Sequence, residues 1–136
     1  MRVFLDANIL FSAAKSDGAV RRMVRLLLQG GHECVADTYV LAEARRNLTA
    51  KGPDALDALE ALTQEVNVAT RMHGNAPAKV LAWLPDKDRP VLAAAIALGC
   101  DTLVTGDRTH FGAGYGKSFA GVTIHSPSSL IERVFG

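Results

Sequence analysis

Hydrophobic residues recur along this chain in two rhythms, short β-type runs and longer stretches at helical spacing. Arg2 to Leu5 is a strand-like run that stops at Asp6. Val20 to Gln29 places Val20, Met23, Val24, Leu27 and Leu28 on one helical face, and Gly30-Gly31 ends it. A second strand is expected around Val35, within His32 to Ala36. Asp37 or Thr38 can cap a helix running through Leu48, and Gly52-Pro53 closes that unit. Asp54 to Val66 is amphipathic, Asn67 to Thr70 reads as a short third strand, and Gly74 to Pro77 reads as loop. Pro90 to Leu98 is apolar on nearly every side, the mark of a helix buried between other elements. Thr102 to Thr105 is a strand halted at Gly106, and Gly112, Gly114 and Gly116 mark an irregular loop. Val122 to Ile124 makes a last strand, and Ser126-Pro127 opens a C-terminal helix.

Helices alternating with short strands imply an α/β domain with a parallel sheet covered on both faces. Ligands of such sheets bind at the carboxyl ends of the strands. The 136 residues suffice for a single domain, 1–136, and a hydrophobic share of 49% lets a core form. Lys and Arg number 15 against 14 Asp and Glu, a net charge of +1. That balance argues against holding a polyanion by bulk charge, so any nucleic acid must be gripped locally or through a metal. Cys34 and Cys100 are expected as buried free thiols rather than a disulfide. Asp6 interrupts the first apolar run, and no stretch approaches the ~20 apolar residues of a membrane span. The expectation is a soluble, cytoplasmic protein.

Four acids fall at element ends. Asp6 closes Val3-Phe4-Leu5, and Asp107 follows Leu103-Val104-Thr105-Gly106; in a parallel sheet those positions share an edge. Glu43 lies beside the stripe of Val40, Ala44 and Leu48 and can lean toward that edge. Asp88 stands at the entry to the buried helix, where Pro90 fits the first turn, but the pattern leaves open whether that entry lies on the same edge. Carboxylates brought together repel by roughly 4 kcal/mol per close pair at an effective dielectric of ~20. A divalent cation converts that cost into binding, and a magnesium-type ion needs only a few carboxylates besides its waters. His32, His73, His110 and His125 are scattered, with no Cys/His cluster of zinc type. Such a cation would support in-line hydrolysis of a phosphodiester.

Each acid also has a plainer role open to it. Asp6 can be a turn or cap residue, Glu43 a solvated helix residue, and Asp107 a turn residue in Thr-Gly-Asp. Asp86 and Asp88 are both candidate helix caps, with Asp86 preferred, and Asp101 is read as only starting its strand.

The segment Val3-Phe4-Leu5-Asp6-Ala7-Asn8-Ile9-Leu10 resembles the opening of PIN-domain nucleases. Leu41-Ala42-Glu43 is similar to their second motif, and Asp86-Lys87-Asp88-Arg89-Pro90 running into Ala93-Ala94-Ala95 to their third. Leu103-Val104-Thr105-Gly106-Asp107-Arg108-Thr109-His110-Phe111 resembles the fourth and is the most specific. The resemblance implies a three-layer α/β/α fold with a parallel sheet of about five strands and metal-dependent RNA cleavage. It implies that Asp6, Glu43, Asp88 and Asp107 bind Mg²⁺ or Mn²⁺, with Asn8 and Thr105 orienting them. Small members of this kind are commonly VapC-type toxins, so it further implies an antitoxin partner and a homodimer. Ala7 departs from the frequent Ser or Thr without touching the chemistry.

Three other readings compete with this one. A haloacid-dehalogenase phosphatase needs a second Asp two positions after the first, where this chain has Asn8. A phospho-acceptor receiver domain needs a Lys after its last strand, where His125-Ser126-Pro127 stands. A binding PIN domain without catalysis, or a housekeeping RNA-processing nuclease, is the nearer alternative. Among cationic residues, Arg45, Arg46 and Arg89 lie nearest the acids and are the phosphate-contact candidates. Arg21, Arg22 and Arg25 are read as a solvated face, His110 as a packed, hydrogen-bonded residue rather than a proton shuttle, and Trp83 as core or interface.

Overall fold

A computed structural model describes residues 1–70 and 76–136. Gly74 and Asn75, the start of the expected loop, and His73 lie outside the described residues. The chain runs β1 (Arg2–Leu5), α1 (Ala7–Lys15), α2 (Ala19–Gln29), β2 (Glu33–Asp37), α3 (Thr38–Lys51), α4 (Leu56–Thr63), β3 (Asn67–Ala69) and α5 (Ala78–Leu81). It continues α6 (Arg89–Ala97), β4 (Thr102–Val104), α7 (Arg108–Phe111), β5 (Ser118–Phe119), β6 (Val122–His125) and α8 (Pro127–Phe135).

The strand order is β3-β2-β1-β4-β6-β5. The expected five strands are all parallel, and the two-residue β5 adds an antiparallel edge against β6. Val3, Phe4, Leu5, Val35, Leu103 and Val104 are fully buried, as strands covered on both faces must be. From β1 the chain winds outward to β2 and β3, then crosses back to β4 and β6 on the other side of β1. The switch point therefore falls between β1 and β4, where open parallel sheets leave a crevice at their carboxyl ends.

The hydrophobic pattern does not single out helix α1. Its signals are present nonetheless: the Asp6 carboxylate caps it by accepting from Ala7 N–H at 2.7 Å, and Ile9, Leu10, Ala13 and Ala14 are buried at helical spacing. It packs on α2, α3 and α4 and so sits at the centre of one helical layer. Arg21, expected on a solvated face, instead closes α1, donating from Nε to Ala13 O at 2.6 Å and from Nη2 to Ala14 O at 2.9 Å. Those carbonyls have no partner within the helix, so a side chain from α2 supplies one.

Two further expectations are corrected. The amphipathic stretch from Asp54 begins as a 3-10 turn, Pro53–Ala55, and the α-helix covers only Leu56–Thr63. Asp86 does not cap α6. It pairs on the surface with Arg89 at 2.8 Å, and Asp88 takes the cap position without a side-chain capping bond. Crossover helices run against the strands, so the start of α6 does lie at the carboxyl edge. Trp83 stacks on Phe119 at 4.8 Å and meets Phe111 edge-on at 6.1 Å, so it packs half-buried against the core. Cys34 and Cys100 are free and buried, and burial pushes their thiols up to about 12 and about 11. Among the described residues no helix is long and apolar enough to cross a membrane.

Candidate metal centre

Asp6 leaves β1 at the switch point, and Thr105, Gly106 and Asp107 leave β4 beside it. The pairing of Leu5 with Val104 sets that register. Thr105 Oγ1 donates to Asp6 Oδ2 at 2.8 Å and accepts from Asn8 Nδ2 at 3.2 Å and Asp107 N–H at 3.1 Å. One donor and two lone pairs exhaust a hydroxyl, so this fully buried threonine has no capacity left. Asn8 also donates to Asp6 Oδ2 at 3.2 Å and accepts from Gly106 N–H at 2.7 Å. A Cβ on Gly106 would come within 3.3 Å of that Asn8 oxygen, so the absence of a side chain permits the close approach.

A pocket of about 310 Å³ opens over this network, and Asp6, Glu43, Asp88 and Asp107 all line it. Glu43 reaches it from the second turn of α3, and Asp88 from the start of α6. Asp6 is buried, and its carboxyl is raised to about 6. Desolvation is the main cause; the bonds from Thr105 and Ala7 oppose it, while the charges of Glu43 and Asp88 add to it. Burial likewise raises Asp88, against the opposing influence of His110 and Lys87. Asp88 Oδ2 is buried and accepts no hydrogen bond. A buried anionic oxygen without a hydrogen bond is costly, and a cation in this pocket would give it a partner besides His110 Nδ1 at 3.1 Å. The donor set of carboxylate oxygens around a partly solvated pocket suits a hard divalent ion.

A family model described as PIN domain matches residues 2–109. The chain belongs to the PIN-domain family. No curated protein matches it at a significant level. Solved structures of similar fold include VapBC2 from Rickettsia felis bound to a DNA fragment from its promoter, at TM-score 0.65 and 16% identity over 93% of this chain and 98% of that one. Another is VapC20 from Mycobacterium tuberculosis, described as a sarcin-ricin loop cleaving toxin, at TM-score 0.60 and 16% identity over 86% and 98% of the two chains. A third is VapBC-1 from nontypeable Haemophilus influenzae, at TM-score 0.59 and 19% identity over 94% and 99%. At these identities the likeness carries the three-layer fold.

Within this PIN domain the candidate arginines lie apart from the pocket. Arg45 pairs with Glu60 at 2.8 Å, and with Arg46 it lines a separate shallow depression on α3 beside Ala42 and Thr49. Arg89 donates to Leu84 O at 2.9 Å and Ala82 O at 3.3 Å besides its pairing with Asp86, bracing the turn that presents Asp88. The pocket wall instead carries Lys87 and Asn47, neither singled out from the sequence. Asn47 stands one helical turn after Glu43, a spacing that could have flagged it.

His110 is the other residue the pattern did not place. It is hydrogen-bonded, as expected, but its partner is Asp107: Nδ1 lies 2.8 Å from Asp107 Oδ2, and the His110 N–H donates to Asp107 Oδ1 at 3.1 Å. The i to i+3 step across the first turn of α7 puts both side chains on one side. A larger groove of about 480 Å³ between α2 and α4 has Arg21, Arg25 and Glu65 on its walls, but no converging acids, so size does not mark the site.

Proposed function

We propose that this PIN domain is a metal-dependent endoribonuclease, hydrolysing RNA phosphodiesters at the pocket of Asp6, Glu43, Asp88 and Asp107. The observation that carries the reading is that four acids from four separate elements line one pocket, two of them, Asp88 and Asp107, within reach of a single ion, and that the buried Asp88 Oδ2 accepts no hydrogen bond. Structural acids are met by partners of their own, as Asp37 is through Val40 N–H at 3.0 Å.

The four carboxylates would hold Mg²⁺ or Mn²⁺, which when bound supplies polarisation of a phosphate oxygen and a lowered water pKa. Thr105 and Asn8 fix the Asp6 carboxylate in one orientation, so it is placed before any ligand arrives. Lys87 gives the pocket wall a positive charge for a phosphate, and Asn47 a neutral hydrogen-bonding group. Arg45 and Arg46 would contact the RNA backbone beyond the pocket. Arg89 could do so only by exchanging Asp86 for a phosphate, since its other bonds go to backbone carbonyls.

The likeness to VapBC and VapC structures supports a role as the toxin of a toxin–antitoxin pair, bound by a small antitoxin; a cytoplasmic homodimer is part of the same proposal. The activity is tested by incubating purified protein with RNA and with DNA of the same sequence, in EDTA and after adding back Mg²⁺ or Mn²⁺. Cleavage of RNA on add-back alone is expected. Equal cleavage in EDTA removes the metal from the mechanism, and no cleavage under any condition favours a binding PIN domain.

A further inference from the structure

Among the described residues, three donor-bearing side chains lie close enough together to share one cation, and one is not an acid. Single donor atoms of Asp88, Asp107 and His110 lie within 4.8 Å of one another. His110 Nδ1 is 2.8 Å from Asp107 Oδ2 and 3.1 Å from Asp88 Oδ2. Donors bonded at ~2.1 Å to one octahedral ion sit ~3.0 Å apart when adjacent, so both separations are those of neighbouring ligands. Without a cation the arrangement is short of protons. A single Nδ1–H can be directed at one carboxylate; Asp107 Oδ2 is the nearer, and Asp88 Oδ2, 3.1 Å away, accepts no hydrogen bond. The ring is also held in place: Asp107 caps α7 through the His110 N–H, and the adjoining Phe111 is fully buried.

We propose that His110 is a metal ligand of this site, its Nδ1 joining Asp88 and Asp107, and that this nitrogen makes the site prefer Mn²⁺ to Mg²⁺. The proposal rests on the reading of the pocket as a cation site and adds a donor to it. Coordination requires the neutral ring to carry its proton on Nε2, leaving the Nδ1 lone pair directed between the two carboxylates; the proton count of the ring is unchanged. Mg²⁺ takes oxygen donors and sheds water reluctantly, whereas affinity for a nitrogen donor rises along the first-row transition metals. Replacing one oxygen donor by imidazole therefore favours the transition ion.

Pulsed electron paramagnetic resonance of the Mn²⁺-loaded protein reads the ligand directly, because a bonded imidazole nitrogen imprints ¹⁴N modulation on the Mn²⁺ signal. Wild type should show that modulation and His110→Gln should lose it. By calorimetry the substitution should weaken Mn²⁺ binding about tenfold or more while moving Mg²⁺ binding less than about threefold. Mn²⁺ bound without directly bonded ¹⁴N overturns the role of His110 and leaves the acidic site standing. Failure of wild type to bind Mn²⁺ at all overturns both readings. Should His110→Gln not fold, the wild-type spectrum alone decides.

Discussion

Thr105 Oγ1 donates to Asp6 Oδ2 at 2.8 Å, joining residues 99 positions apart at the ends of β1 and β4. The bond spans the switch point of the sheet, beside the Gly106 N–H to Asn8 Oδ1 bond at 2.7 Å. It also costs nothing elsewhere, because the same hydroxyl satisfies Asn8 Nδ2 and the Asp107 N–H. Thr105→Val keeps the shape and removes all three bonds. It should destabilise the fold by about 1–3 kcal/mol and lower RNA cleavage, and Thr105→Ser should restore both. Denaturant melts and cleavage rates of the two variants check this.

Asp6 links stability to pH with a definite sign. Its folded carboxyl lies at about 6 against an ordinary 3.8, so the folded state binds the proton more tightly. The metal-free protein should be fully stabilised by this group below about pH 4, lose that contribution as pH rises through about 6, and change little above. The span is on the order of 3 kcal/mol. Asp6→Asn lacks the titration. Comparing metal-free melts of the two proteins from pH 4 to 8 reads it together with its coupling to Glu43 and Asp88, while uncoupled groups cancel.

At pH 8 in EDTA the same substitution trades two effects. Removing a buried charge relieves up to about 3 kcal/mol, while one accepting oxygen becomes an NH2 that cannot accept, leaving either the Ala7 N–H on Oδ1 or the Asn8 and Thr105 donors on Oδ2 unmet at a cost of about 1–3 kcal/mol. Asp6→Asn should thus melt close to wild type while losing RNA cleavage. Added Mn²⁺ should raise the wild-type midpoint and barely move the variant's. A variant that melts far below wild type yet still cuts RNA would make Asp6 a structural residue.

Gly114 tests packing independently of chemistry. A Cβ there would lie 2.4 Å from the Trp83 ring, which Phe119 backs at 4.8 Å. Gly114→Ala should cost about 1–3 kcal/mol by overpacking, read as a lower thermal midpoint, with the metal-induced rise in midpoint preserved.

The pattern of the sequence carried the five parallel strands and the acids at their ends, because buried parallel strands must be continuously apolar and an Asp that stops such a run is conspicuous. It did not carry α1, whose cap is Asp6 itself: one residue served as the end of a strand, the start of a helix and a wall of the pocket. Nor did it carry His110 and Lys87. Their positions follow from a short helical turn after β4 and from the crossover into α6, and neither geometry is encoded in hydrophobic spacing. Arg89 illustrates the reverse case. Proximity in sequence to Asp88 suggested a phosphate contact, but Leu84 and Ala82 present free carbonyls to it and brace the turn with its guanidinium.

The central claim is that the four-acid pocket cleaves RNA through a bound cation, and Asp88→Asn tests it most directly. Among the described residues Asp88 Oδ2 is the one buried side-chain oxygen that accepts no hydrogen bond, so the neutral amide should leave the fold intact while weakening the site. RNA cleavage at saturating substrate, measured for both proteins at one Mn²⁺ concentration, should fall by about a hundredfold or more in the variant, corresponding to about 3 kcal/mol or more of barrier. Cleavage by Asp88→Asn at the wild-type rate, with both proteins folded, would contradict the account.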